Sequence, residues 1–588
     1  MTKRIIAPLA MPLLLVLFSL GRAWLSEQGS LAAAGCAGCL VVPTIQHDLA
    51  LLGVFLLATA LWLGLPRYIR WLAWLIQGGL LLIIVADLVT LAAFNMRLSW
   101  RDVLKFGGEW EAVQGYLGTK ATAITGLLWL IGVGILLSSW AAHLMAAQRL
   151  GQSGLRGIII AAAICFSLYA LPTTIHHPLP WLYRNVVEIN LPSGVDRAYS
   201  EAYRSQVLAA HSPPPLHCIQ GRALRRNVVI VIIESWSWYH SQDRLGVMNA
   251  TPQLDRFARR GTLWTRFFSN GFTTDHGLIA LLGGVAPLPP VNRYHSLEGY
   301  TGFEELPDSL PRRLAADGYE SYFFTTGDLG FMAKGKWLKR LGFHKVEGDN
   351  HPFYQEAQRF SFNGAHDGWL YNRFLQWLVQ EAPPKRPYLA VLETVTTHPP
   401  FVDPATGRQD ELTAFRFADA QVARFIDHLD KRGFFEEGLV ILTSDQRALS
   451  PLRTAETKAF GPAAPALLPL VVLGGSFDSG KQVTTAAQMA DMPASLDYLL
   501  TDGACQEERR GNLFTQPPQS PRCILRPQGN QRDIVDAYCG DQHAQIQLEG
   551  DKTRILRGTL PHGKALIEQI NIQRIGAGAR KVEFTHIL

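Results

Sequence analysis

NVVIVIIESWSW, residues 227–238, decides the fold, because its β-branched run from Val228 to Ile233 has no polar face at either strand or helix period. Such a run suits a strand covered on both faces, as in a parallel sheet flanked by helices. Four more runs of this kind follow: SYFFTT (321–326), YLAVLETV (388–395), LVILTSD (439–445) and LPLVVLGG (468–475). Between them, LTAFRFADAQVARFIDHLDKRG (412–433) sets its apolar residues at helical spacing and stops at Gly433, a C-terminal cap. The alternation predicts an α/β domain. Glu234, His398 and Asp445 stand just beyond three of the runs, and open parallel sheets bind ligands at the carboxyl ends of their strands. These three residues are therefore candidates for one site, although they are far apart in sequence.

The chain has 588 residues, 48% of them hydrophobic, with a mean hydropathy of +0.07. It is too long for one ordinary domain and apolar for a wholly water-soluble protein. The apolar excess lies before residue 173, in stretches 5–22, 49–65, 70–94, 122–146 and 156–172. Each approaches the length that a hydrocarbon core of about 30 Å requires, so five transmembrane helices are expected over residues 1–172. Lys3, Arg4, Arg67, Arg70, Arg149 and Arg156 mark one side as cytoplasmic, against Arg97, Arg101, Lys105 and Lys120 on the other. An odd number of spans places everything after residue 173 outside the cytoplasm.

Cysteine use fits that topology. Cys36, Cys39, Cys218, Cys505, Cys523 and Cys539 all fall on the outer side and could form three disulfides, whose pairing the sequence leaves open. Residues 173–226, with IHHPLPWLYRN and SPPPL, read as a juxtamembrane connector, and 227–503 as the α/β domain. Residues 504–588 read as a small β-rich region, in which AQIQLEGDKTRIL supplies two strands around a Gly-Asp turn. The net charge of +6 forms no long basic run, which argues against a nucleic-acid partner.

A metal-assisted nucleophile needs anionic ligands, an activated hydroxyl and a cation to offset charge developing on phosphorus. Glu234 and Asp445 supply the carboxylates. SNGFTTDHGLIALLGGVAPLP (269–289) runs from a glycine-containing loop into an apolar helix, which sets Thr273 and Thr274 near a helix N-terminus that favours an anion. Taken in order, ESWSW, TPQLDRFARRG, GFTTDHGLIALLGG, GDLGFMAKGKWLKRLGF, TVTTHPPF, SDQRAL and DMPASLDYLL resemble the lipoteichoic acid synthases and periplasmic-glucan phosphoglycerol transferases of the alkaline phosphatase and sulfatase superfamily. The resemblance covers roughly 227–503.

It implies a sulfatase-like fold on the periplasmic or extracellular side of a bacterial inner membrane. It also implies one divalent ion, manganese, magnesium or zinc, held by Glu234, Asp445 and Thr274. Thr274 would also be the nucleophile, with Thr273 as the alternative; His398 and Lys334, the latter with Lys336 nearby as the alternative, would contact substrate. The donor would be a phospholipid bearing phosphoglycerol or phosphoethanolamine, and the acceptor an extracytoplasmic glycan.

Gln446 departs from the family, which has histidine directly after the strand-end aspartate. An amide oxygen is a weaker ligand for zinc or manganese and better suited to a hard cation such as magnesium. Arg447 beside it could bring charge to the substrate, and His276 could complete the metal shell. Gln446 also leaves room for a metal-deficient binding or scaffolding protein. A phosphate or sulfate ester hydrolase is a further alternative, although no Cys-x-Pro-x-Arg-like context surrounds Thr274.

Overall fold

The computed structural model describes residues 9–29, 40–64, 70–94, 96–100, 102–103, 134, 152–172, 180–191, 199–210, 216–289, 300, 302–360, 363–399, 401–450, 452–507, 511–515, 522–560 and 562–582. The chain divides into two compact units, Met1–Val103 with Leu117–Leu191 and Ser450–Thr454, and Leu104–Tyr116 with Pro192–Leu449 and Ala455–Leu588.

Among the described residues, the first unit packs four long helices, α1 (Ala10–Gly29), α2 (Val41–Gly64), α3 (Arg70–Phe94) and α4 (Gln152–Tyr169). Its polarity is inverted. Leu17, Leu61, Ile76 and Ile160 face outward, whereas Arg22, Asp48, Asp87 and Arg97 are buried. Arg22 pairs with Asp48 at 2.6 Å, and Arg97 with Asp87 at 2.6 Å. Both guanidiniums also donate to main-chain carbonyls of the Trp181–Arg184 segment, and such pairing is what lets ions persist away from water.

Val41–Leu63 is long and apolar enough to cross a membrane, while Met11–Leu25, Leu75–Leu91 and Gly154–Tyr169 are shorter apolar stretches. Of the five expected spans, one therefore meets the length requirement among the described residues. The expected span 122–146 lies outside the described residues, as do Cys36 and Cys39.

In the second unit, strands β1 (Leu216–Gln220), β2 (Asn227–Ile232), β3 (Thr262–Phe268), β4 (Glu320–Thr325), β5 (Lys345–Glu347), β6 (Tyr388–Glu393), β7 (Gly438–Thr443), β8 (Leu467–Leu473), β9 (Gln482–Val483) and β10 (Ala487–Gln488) come first. All but β1 form a nine-stranded sheet ordered β10-β3-β8-β7-β2-β6-β4-β5, with β9 also on β3. The five apolar runs are all strands, but the sheet is mixed: β8 runs antiparallel to both β7 and β3. Strand β3, TLWTRFF, was not among the expected strands, because its threonines and Arg266 interrupt the apolar run.

Successive residues in each strand serve opposite layers, and residues two apart share one. Val228, Ile230 and Ile232 pack under α6 (Thr274–Gly283) and α10 (Met492–Leu500), and Val229, Val231 and Ile233 under α5 (Pro252–Arg260), α8 (Asp367–Gln380) and α9 (Glu411–Lys431). Helix α7 (Lys334–Arg340) joins the first layer through Trp337 and Leu338. The result is a sheet covered on both faces.

Strand β11 (Gly503–Glu507) pairs with β1 in a register that sets Cys505 opposite Cys218, itself disulfide-bonded. Strands β12 (Cys523–Pro527), β13 (Ile534–Cys539), β14 (Gln542–Gln547) and β15 (Arg554–Arg557) form an antiparallel sheet stapled by Cys523–Cys539. The Gly-Asp turn falls between β14 and β15. A final helix, α11 (Gly563–Val582), was not expected in this β-rich region, yet Leu566, Ile570 and Arg574 repeat at helical spacing and are buried. Arg574 donates to Pro289 O at 2.8 Å and Gln573 to Ala286 O at 2.6 Å, so α11 holds the loop that leaves α6.

Candidate active site

The parallel register of β7, β2 and β6 brings Asp445, Glu234 and the segment after Glu393 to one edge of the sheet. Glu234 is tied there by its main chain: its N–H donates to Thr394 Oγ1 at 3.0 Å and its carbonyl accepts from Thr397 Oγ1 at 2.6 Å. Ser235, fully buried, turns the chain with φ of 60°. That left-handed backbone on a non-glycine residue costs about 1–3 kcal/mol and is kept where a site needs it. Here it aims Ser235 Oγ at Glu234 Oε1 (2.8 Å) and Ser235 N–H at Asp445 Oδ1 (3.0 Å).

Helix α6 delivers the threonines. Thr273 is the N-cap residue and Thr274 the first helical residue. Thr274 Oγ1 donates to Glu234 Oε2 at 3.4 Å, whereas Thr273 Oγ1 is buried without a partner among the described residues. The helix can come this close because residue 277 is glycine: a Cβ there would overlap the Asp445 carbonyl oxygen and lie 2.8 Å from its carbon. Asn270 fixes the incoming loop, donating to Leu525 O at 3.0 Å and to Gln488 Oε1 at 2.7 Å. The C-terminal sheet thus braces the threonine loop.

Burial dominates the electrostatics. It pushes Glu234 up to about 7, aided by the nearby Glu393 charge and opposed by the Ser235 hydroxyl. Burial and the adjacent Glu234 hold Asp445 well above the usual carboxylate range. Two ionised carboxylates with no cation between them are costly, and Asp445 Oδ2 and Gln446 Oε1 are buried acceptors without a donor among the described residues. The donor set of two carboxylates, an amide oxygen and a threonine hydroxyl fits a hard divalent cation. Among the described residues, no three His, Cys, Asp or Glu side chains gather as a ligand cluster, so His276, whose ring packs edge-on to Phe272, does not complete one.

His398 is part-buried, with Nδ1 2.6 Å from Pro399 O, which as a carbonyl only accepts. Burial first, and the Lys334 charge after it, lower its pKa, while Asp445 acts in the opposite sense. The ring therefore stays neutral further into acid than an exposed histidine. Lys334 pairs with Glu393 at 2.6 Å, whereas Lys336 is exposed. Arg447 was expected to offer its charge to substrate. Its guanidinium instead forms a buried two-point pair with Glu456 (2.8 and 2.7 Å) and lies over the Tyr239 ring.

Glu393 is the site residue that the sequence reading missed. Its signal was present, since a carboxylate ends the YLAVLE run as Glu234 ends NVVIVIIE.

Residues 226–460 match the Sulfatase family model. The chain carries a sulfatase-like α/β domain. A protein of the alkaline phosphatase superfamily from Vibrio parahaemolyticus has the same fold, with 18% identity, covering 64% of this chain and 93% of that one at a TM-score of 0.50. Lipoteichoic acid synthase LtaP from Listeria monocytogenes matches at 17% identity over 63% of this chain and 94% of its own, with a TM-score of 0.45. Phosphonate monoester hydrolase from Agrobacterium radiobacter matches at 14% identity, 62% and 96% coverage and a TM-score of 0.39. In the sulfatase-like domain the threonine, both carboxylates and Gln446 all belong to the edge where the parallel strands end.

Proposed function

We propose that the protein is a membrane-anchored transferase that moves a phosphoglycerol or phosphoethanolamine headgroup from a phospholipid to an extracytoplasmic glycan. The observation that carries this reading is Thr274 Oγ1 held at Glu234 Oε2 beside Asp445, at a helix N-terminus. The ordered motifs that resemble the phosphoglycerol transferases support the substrate class. The outward apolar residues of the first unit support the anchor, and the disulfides of the second unit suit an oxidising, extracytoplasmic compartment.

In the first step, Thr274 Oγ attacks phosphorus and the bond from phosphorus to the diacylglycerol oxygen breaks. The threonine proton ends on that departing alcohol. In the second step, an acceptor hydroxyl attacks, the bond from Thr274 Oγ to phosphorus breaks, and the threonine recovers a proton. His398 Nε2 suits the transfer of these protons, since Nδ1 is turned to Pro399 O. Lys334 offers its ammonium to the phosphoryl oxygens. A divalent cation bound by Glu234, Asp445 and Gln446 would lower the threonine pKa and offset charge in both steps.

The cation and protons compete for the same carboxylates. Glu234 is raised, so its contribution to the stability of the cation-free protein is complete below the ordinary glutamate range and is lost as pH rises through about 7. Cation binding reverses that loss. Its affinity is expected to fall about tenfold per pH unit below 7 for each proton displaced, a dependence that calorimetry between pH 5.5 and 8 measures. A flat profile would contradict the assignment.

Gln446 favours a second reading, a metal-deficient binding protein. The two separate on Gln446→His in the full chain. The transferase reading expects measurable magnesium or manganese binding by wild type and at least a tenfold gain in zinc affinity in the variant. No binding by wild type, with binding created by the histidine, would establish the second reading.

A further inference from the structure

Glu393 closes β6 in register with Ile232 of β2 on one side and Thr325 of β4 on the other. Its side chain is only 3% exposed, and its charge is felt by both Glu234 and Asp445. The two oxygens differ. Oε2 accepts from Lys334 Nζ at 2.6 Å, whereas Oε1 is buried with no donor among the described residues. The lysine is delivered by two successive left-handed non-glycine residues, Met332 (φ 51°) and Ala333 (φ 58°), immediately before α7. That strain, about 1–3 kcal/mol per residue, is the expense of holding one ammonium at one place.

A carboxylate oxygen only accepts, and leaving a buried one unsatisfied costs about 1–3 kcal/mol or more. Lys334 has three N–H donors, so pairing with Glu393 leaves two for phosphoryl oxygens. The Lys334–Glu393 corner is then electrically neutral. A hydroxyl can satisfy Oε1 without changing that balance, whereas a second ammonium would be set against the Lys334 ammonium.

We infer that Glu393 reads the alcohol part of the ligand: Oε1 accepts a hydrogen bond from a hydroxyl adjacent to the phosphoryl group, which selects polyol phosphate esters. The inference rests on the reading of this cluster as a phosphoryl site and narrows it, placing the glycerol headgroup ahead of ethanolamine.

The test is calorimetry on the full chain in detergent with manganese, using glycerol 1-phosphate, propyl phosphate and ethanolamine phosphate. Wild type should bind glycerol 1-phosphate at least about tenfold more tightly than propyl phosphate, which lacks only the hydroxyls, and ethanolamine phosphate no more tightly than propyl phosphate. Glu393→Ala should bind glycerol 1-phosphate and propyl phosphate alike. Should that variant fail to fold because Lys334 is left unpaired, the double replacement of Lys334 and Glu393 by alanine leaves no lone buried charge and should likewise not discriminate.

Equal binding of the first two ligands by wild type would mean that water satisfies Oε1, and would overturn the inference alone. Discrimination surviving the loss of Glu393 would overturn it equally. Failure of all three ligands to bind in the presence of bound manganese would sink the phosphoryl-site reading together with it.

Discussion

Thr274→Ala is expected to lower headgroup transfer by at least about 10³-fold, while Thr273→Ala lowers it by about tenfold or less. The difference follows from their places on α6. Thr274 Oγ1 reaches Glu234, while Thr273 Oγ1 reaches no partner among the described residues and caps no main-chain N–H. Thr274 is only part-buried at the first position of the helix, so its replacement should leave the melting temperature within a few degrees of wild type. Release of diacylglycerol from a labelled phospholipid by the full chain measures the effect. Comparable losses in the two variants would remove the basis for choosing Thr274.

Gly277→Ala is expected to damage the site without touching any of its functional side chains. Helix propensity alone predicts a gain of about 1 kcal/mol, because alanine is the better helix former. Sterics oppose it. The new Cβ would overlap Asp445 O and lie 2.8 Å from its carbon and 3.0 Å from its Cα, all main-chain atoms in a buried loop that cannot swing aside. Overpacking of this kind costs about 1–3 kcal/mol, so the net effect should be destabilising. It should also separate Thr274 from Asp445. A lower melting temperature and at least a tenfold loss of cation affinity are expected, read by thermal unfolding and calorimetry on the same preparation. A variant as stable as wild type with unchanged affinity would show that the close approach of α6 to Asp445 is not required.

Much of this arrangement was legible because burial on both faces of a sheet writes itself as uninterrupted apolar runs, and strand ends place Glu234 and Asp445 together whatever lies between them. The mixed character of the sheet was not legible, since an antiparallel LPLVVLGG strand buried on both faces has the same composition as a parallel one. Strand β3 hid behind Thr262, Thr265 and Arg266. Arg447 shows a different limit: a fixed charge beside a site residue looks like a ligand contact until the turn after Asp445 places Glu456 against it. Glu393 was missed for a simpler reason. Its neighbours Thr394 to His398 carry the recognisable motif, and the carboxylate just before them lies inside the apolar run YLAVLETV (388–395).

The role of the last 85 or so residues also needed three dimensions. Asn270 binding to Leu525, and Arg574 binding to Pro289, connect both ends of the threonine segment to elements more than 250 residues away. Nothing local in either sequence announces such a brace.

The most direct measurement is mass spectrometry of the segment containing Thr273 and Thr274, after the full chain in detergent is mixed with manganese and phosphatidylglycerol and quenched in acid. The phosphoryl-transfer account predicts a glycerophosphoryl adduct on Thr274 in wild type and none in Thr274→Ala. An unmodified Thr274 in a protein that binds manganese and turns over the lipid, or an adduct located on Thr273, would contradict it.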